Sequence, residues 1–162
     1  TAQNVVGGAD NVIIGKAAGG TTTAGLNMVL IGSYAGSGGL ITTAATGTVA
    51  IGHSALTALT SGSGNTAIGY QAMLTENTGV SNTAIGYQAL KTLDNVTGMN
   101  QAIGYQAGLT LSSGYLNTFI GHTAGKLVAS GTGNVIIGSR SFAAADGGES
   151  NNIMIGCKIN WK

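Results

Sequence analysis

The chain has 162 residues, of which 7% are charged; its net charge is +1, and it contains 29 glycines and no proline. A soluble globular domain averages about 25% charged residues and about 5% proline, so this is not a conventional globular composition. The 43% apolar content argues against disorder, the glycine spacing without proline argues against collagen, and six basic against five acidic residues leave no electrostatic footprint for nucleic acid or an anionic membrane.

The first predicted element is Asn11-Val12-Ile13-Ile14-Gly15, and the same short unit returns along the whole chain. Ile-Gly pairs stand at Ile14, Ile31, Ile51, Ile68, Ile85, Ile103, Ile120, Ile137 and Ile155, in steps of 17, 20, 17, 17, 18, 17, 17 and 18 residues. A fixed period of this size marks a repeat protein whose units stack because none can bury its own apolar face. The expectation is one repeat domain over residues 1–162, all-β, with about nine rungs and the nine isoleucines as its structural core. Each unit divides into two strands of about five residues and two turns. The long step after Ile31 predicts a protruding loop at residues 37–46. Abundant glycine and β-branched residues, with a period far from 3.6, exclude helix.

Aligned on the Ile-Gly pair, the units show columns of one residue type. Three residues before the isoleucine stand Asn11, Met28, Thr48, Asn65, Asn82, Asn100, Asn117, Asn134 and Asn152. Asparagine bonds to main chain at turns, and stacked amides also bond to one another as a ladder, so this column marks the corner where a strand begins. The next column is mostly β-branched and shares a strand face with the isoleucine. Between them, pointing the other way, lie Ile13, Leu30, Ala50, Ala67, Ala84, Ala102, Phe119, Ile136 and Met154. A column apolar throughout predicts that both strand faces are covered, one by the return strand of the same unit and the other by a partner chain. The small residues Ala50, Ala67, Ala84 and Ala102 suit the axis of an oligomer. Nine rungs make a thin rod about 40 Å long, which gains burial by associating.

The units Asn65-Thr-Ala-Ile-Gly-Tyr-Gln-Ala-Met, Asn82-Thr-Ala-Ile-Gly-Tyr-Gln-Ala-Leu and Asn117-Thr-Phe-Ile-Gly-His-Thr-Ala-Gly resemble the head repeats of trimeric autotransporter adhesins and the related repeats of phage tail fibres. The resemblance covers residues 11–156. It implies a left-handed parallel β-roll (β-solenoid) assembled as a homotrimer, extracellular, on a virion tail or a bacterial cell surface. Unlike the adhesins, this chain has no heptad stalk and no membrane anchor. Its Tyr-Gln-Ala-Leu form is closer to fibres that end in a self-cleaving intramolecular chaperone, and Ile159-Asn160-Trp161-Lys162 would suit the end left by a cleaved C-terminal chaperone. The function implied is a structural and adhesive fibre segment contacting the bacterial surface; the alternative is an adhesin head binding host matrix or cells.

The column after the glycine holds His53, Tyr70, Tyr87, Tyr105 and His122 in five consecutive rungs, beside Gln71, Gln88 and Gln106. Aromatic rings with polar edges, flanked by amides, would hold a cell-surface glycan or a protein receptor; equally, such rings stabilise a fold by stacking on one another. His53 and His122 lie roughly 19 Å apart along the rod, and neither has a carboxylate or cysteine in its own rung, so no metal and no cofactor is assigned. Asp10, Glu76, Asp94, Asp146 and Glu149 fall in turns or return segments without pairing as a hydrolase requires, and the glycine-rich stretches lack the Lys-Ser of a phosphate loop. Hexapeptide acyltransferases also build left-handed β-helices, but their further hexapeptides are missing here. Threonines cluster only at Thr21–Thr23 and Thr42–Thr43, too few for an ice-binding array. No enzyme activity is expected. No apolar run approaches the ~18 residues that span a bilayer, and residues 1–8 lack the layout of a secretory leader, so the chain reads as soluble or as a processed piece of something longer. Cys157 is alone and makes no internal disulfide.

Overall fold

Every strand is three residues long and ends on the isoleucine of an Ile-Gly pair. In the computed structural model, which describes residues 8–20, 24–142 and 148–157, these are β1 (Val12–Ile14), β2 (Val29–Ile31), β3 (Val49–Ile51), β4 (Thr66–Ile68), β5 (Thr83–Ile85), β6 (Gln101–Ile103), β7 (Thr118–Ile120), β8 (Val135–Ile137) and β9 (Ile153–Ile155). They form one parallel sheet in chain order, a β-solenoid of about eight turns, with no helix among the described residues. The register never slips, and each isoleucine pairs with the isoleucine of the next rung. Thr21–Thr23, Asp146 and Ile159-Asn160-Trp161-Lys162 lie outside the described residues.

The glycine after each isoleucine stops the strand. At Gly86 the backbone φ is +135°, and a Cβ there would fall on the carbonyl oxygen of Gly104 one rung on. Only glycine allows that conformation and that approach together. Two residues later comes a left-handed residue, as at Gln71 (φ 53°), and two further on another, as at Met73 (φ 47°). This alternation corrects the expected second strand: the return half of the unit is a run of turns. Its backbone is still bonded from rung to rung, with the Met73 N–H donating to the Ala89 carbonyl and the Leu90 N–H to that of Ala107, each at 3.0 Å. Such bonds offset the cost of left-handed non-glycine residues, about 1–3 kcal/mol each.

The two strand faces are the reverse of the expected arrangement. The middle residues, Leu30, Ala50, Ala67, Ala84, Ala102, Phe119, Ile136 and Met154, point into the coil and are buried. The column Ile14, Ile31, Ile51, Ile68, Ile85, Ile103, Ile120, Ile137 and Ile155 faces outward instead of forming the coil's core; Ile14 is 57% exposed and Ile155 67%. Period-2 alternation places residues on opposite faces but cannot say which face is inside when both are apolar.

The changing size of the inner column reflects filling of volume within the coil. Where the strand supplies alanine, the position five residues after the isoleucine supplies Leu56, Met73 or Leu90, all buried. Where the strand supplies Leu30 or Phe119, that position is Gly36 or Gly125, and a Cβ at Gly125 would lie 2.6 Å from the Phe119 ring. Ala102 and Gly108 are both small, and the Phe119 and Leu90 side chains occupy the space beside Gly108. Volume is thus exchanged between the two positions in most rungs, although Ile136 and Phe142 are both large and both buried. Part of the 37–46 insertion joins this core: Ile41 and Ala45 are buried while Leu40 stands exposed, so the expected protrusion is only partial.

A ladder of asparagine amides, interrupted by Met28 before β2 and Thr48 before β3, closes the corner where the strands begin. The Asn117 Oδ1 accepts the Asn134 backbone N–H at 3.0 Å and its Nδ2 at 3.0 Å, while the Asn117 Nδ2 donates to the Gly131 carbonyl at 2.7 Å. The same pattern joins Asn100 to Asn117 and Asn134 to Asn152. Asn100, Asn117 and Asn134 therefore each satisfy a backbone N–H of the next rung and a turn carbonyl, groups that are costly to leave unpaired.

Two substitutions test this packing. Phe119→Ala opens a cavity against Gly108 and Gly125 and is expected to cost about 3–5 kcal/mol in denaturant unfolding. Gly86→Ala strains φ and drives a methyl group into a carbonyl, and is expected to cost at least about 2 kcal/mol.

Candidate functional site

Because the rungs are in register, the residue after each Ile-Gly pair repeats along one line on the outside of the coil. His53, Tyr70, Tyr87, Tyr105 and His122 are brought together there as one stack. Successive ring centroids are 5.4, 5.2, 5.1 and 5.0 Å apart, with planes within 18°, 9°, 6° and 8° of parallel. Stacked aromatic pairs favour such offset contact, which contributes about 0.5–1.5 kcal/mol per pair in buried settings. These rings nevertheless remain open to solvent: Tyr70 and Tyr87 are each 42% exposed and Tyr105 45%.

The neighbouring glutamines form a second line. The Gln88 Nε2 donates to the Gln71 Oε1 and the Gln106 Nε2 to the Gln88 Oε1, each at 2.9 Å. The left-handed backbone that starts the turn run sets these amides beside the rings, with φ of 53°, 55° and 51° at Gln71, Gln88 and Gln106. Ser54 and Thr123 replace glutamine at the two ends, and their hydroxyls meet the Nδ1 atoms of His53 and His122 at 3.0 and 3.4 Å.

Three residues beyond the His/Tyr run and its glutamines extend the site: Lys16 lies in the column of the rings, Tyr34 in that of the glutamines, and Lys126 outside both. Tyr34 meets His53 edge-on at 5.9 Å, and the Lys16 ammonium lies 5.7 Å from the Tyr34 ring centre. At the other end the Lys126 ammonium donates to the Gln106 Oε1 at 3.0 Å. Tyr34 stands in the glutamine column, one residue beyond Ser33, and turns its ring toward the aromatic run. No group of three or more His, Cys, Asp or Glu residues among the described residues is placed to hold a metal ion.

A second unusual feature lies inside the coil. Glu76 is fully buried in the column that holds Leu59, Leu93, Leu111 and Val128 in other rungs. Its Oε1 accepts the Gly79 N–H at 2.6 Å and that of Thr78 at 3.2 Å, and its Oε2 faces the Asn95 N–H at 3.5 Å. Burial pushes its pKa above the ordinary carboxylate value, reinforced by Asp94 and opposed by the backbone N–H groups of Gly79, Asn95 and Thr78. The signal in the sequence was a charged residue in a column otherwise filled by leucine and valine.

No known protein family matches the chain, and neither does any curated protein or solved structure.

The raised pKa of Glu76 has a definite sign. Between the ordinary and the raised value the folded chain binds more protons than the unfolded one, so this group's contribution to stability falls as pH rises through that window. Glu76→Gln is expected to flatten the dependence of unfolding free energy on pH above about 4.5 while keeping the Gly79 contact. Chemical denaturation of both forms across the pH range checks it; parallel pH profiles would count against this assignment.

Proposed function

We propose that the chain is a structural and adhesive segment of a trimeric extracellular fibre, a phage tail fibre or a related receptor-binding appendage that contacts a bacterial surface. Three copies of a left-handed β-roll stand about a common axis, and the work is mechanical and adhesive with no reaction catalysed. The observation that carries this reading is the uncovered outer face of the sheet. Its two columns run from Val12 and Ile14 to Ile153 and Ile155 without a single charged residue. That strip is about 40 Å long; its isoleucine file is apolar throughout and its other file is uncharged, and an exposed apolar file on this scale marks an interaction site.

A second and third copy of the same chain suit the strip better than an unrelated partner. Eight of the nine rungs offer a β-branched pair at the same rise, with Gln101 the exception, so copies related by rotation about an axis parallel to the rod match rung for rung. Association desolvates no ion there, and Thr66, Thr83 and Thr118 keep hydroxyl partners available along the middle of the strip. With the strip covered, the ring stack and glutamine line remain as the adhesive surface. Threefold repetition raises avidity without strengthening any single contact.

Light scattering on the intact protein is expected to give three times the chain mass of 15.9 kDa. Ile68→Asp combined with Ile85→Asp places carboxylates on the outer face only and is expected to yield single chains. A native protein that stays at one chain mass at micromolar concentration sinks the proposal, whatever the variant does.

A further inference from the structure

Resting on that adhesive reading, we infer that the ring stripe takes an extended β-1,4-linked polysaccharide, lying parallel to the solenoid axis with one sugar per rung. The repeat distance carries the argument. Strand pairing holds successive rings 5.0 to 5.4 Å apart over five rungs, so any ligand touching all of them needs a matching repeat and a straight backbone. In a β-1,4-linked pyranose chain both bridging bonds are equatorial and lie on opposite sides of the ring. The chain therefore runs straight and advances by about one ring length per sugar, close to the step of the stack. Chains linked α-1,4 curve into coils and those linked α-1,6 gain an extra flexible bond, so neither keeps step with the rungs.

The surface chemistry fits the same ligand. Near-parallel rings in contact at about 3.5–4.0 Å, with these centroid distances, must be slipped sideways, so they overlap like tiles. Each tyrosine leaves a strip of face for the axial C–H groups of a sugar and a phenol hydroxyl for its O–H groups. Each glutamine amide has two N–H groups and two acceptor lone pairs. The ladder uses one of each at Gln88, leaving a donor and an acceptor at the rung repeat. The stripe itself carries no carboxylate, and the ammonium groups of Lys16 and Lys126 stand at its two ends, so neutral or acidic sugars are accommodated.

Calorimetric titration of the intact oligomer with chito- and cello-oligosaccharides of two to six sugars tests this, with maltohexaose and isomaltohexaose as controls. Affinity is expected to rise at least about tenfold between two and five sugars and then level off, with the α-linked controls silent. The Tyr protons of the native protein are expected to shift on adding chitopentaose, and the combined Tyr70→Ala, Tyr87→Ala, Tyr105→Ala form to lose binding at unchanged oligomer mass. Equal affinity for α-linked chains, no dependence on length, or unmoved tyrosine signals overturns the inference. If labelled protein still coats host cells in that event, the adhesive reading stands without it; if it binds neither sugars nor cells, the adhesive reading falls too.

Discussion

The backbone of one rung can pass closely over the next because glycine follows every strand, at φ between +128° and +148°, with its carbonyl set where the preceding rung's glycine would need a Cβ. A chain that must thread this column cannot shift by one residue without putting a side chain where none fits. Register is therefore imposed at the end of each strand as well as by pairing along it. The straight files of rings, glutamines and asparagines follow directly. None of them requires its own alignment mechanism, since each repeats at a constant offset from a glycine that has nowhere else to go.

Within the coil, a cross-section this narrow leaves little freedom. The exchange of volume between the strand residue and the position five after the isoleucine lets Phe119 and Ala84 serve equivalent roles in different rungs. Most buried polar groups have partners: asparagine amides hold turn carbonyls and next-rung N–H groups, and Glu76 holds three N–H groups in place of a leucine. The 18-residue rung between Ile85 and Ile103 strains this arrangement. There the Asn95 Nδ2 joins that of Asn100 on the Gly114 carbonyl, and the Asn82 Nδ2 remains buried without a hydrogen-bond partner.

Rung number, strand position and column membership were legible in the sequence, because the Ile-Gly period encodes them directly; all nine strands end where the pairs predict. Which face lies inside was not legible from the strand alone, where Ala67 and Ile68 are both apolar. The deciding residues, Gly36, Leu56, Met73, Leu90 and Gly125, sit in the return half and show their meaning only when read against the strand residue of the same rung. The missing second strand had no local signature either, since Gln71 and Met73 are not residues that favour left-handed backbone. Of the candidate site, the stack and its glutamines were visible as columns. Lys16 and Tyr34 share those columns but stand apart from the run, separated from it by Ser33 in the ring column and by a change of residue type in the glutamine column, and Lys126 reaches in from another offset.

Among the described residues, every rung between β1 and β9 is matched only to its immediate neighbours. Such an architecture has no inherent length. Unequal crossing-over between two Asn-x-x-Ile-Gly segments would insert or delete a whole turn, adding or removing one increment of rise while leaving diameter, surface files and interior filling unchanged. Length thus becomes a quantity that recombination can adjust in discrete steps, separately from the pattern of side chains on the outer surface.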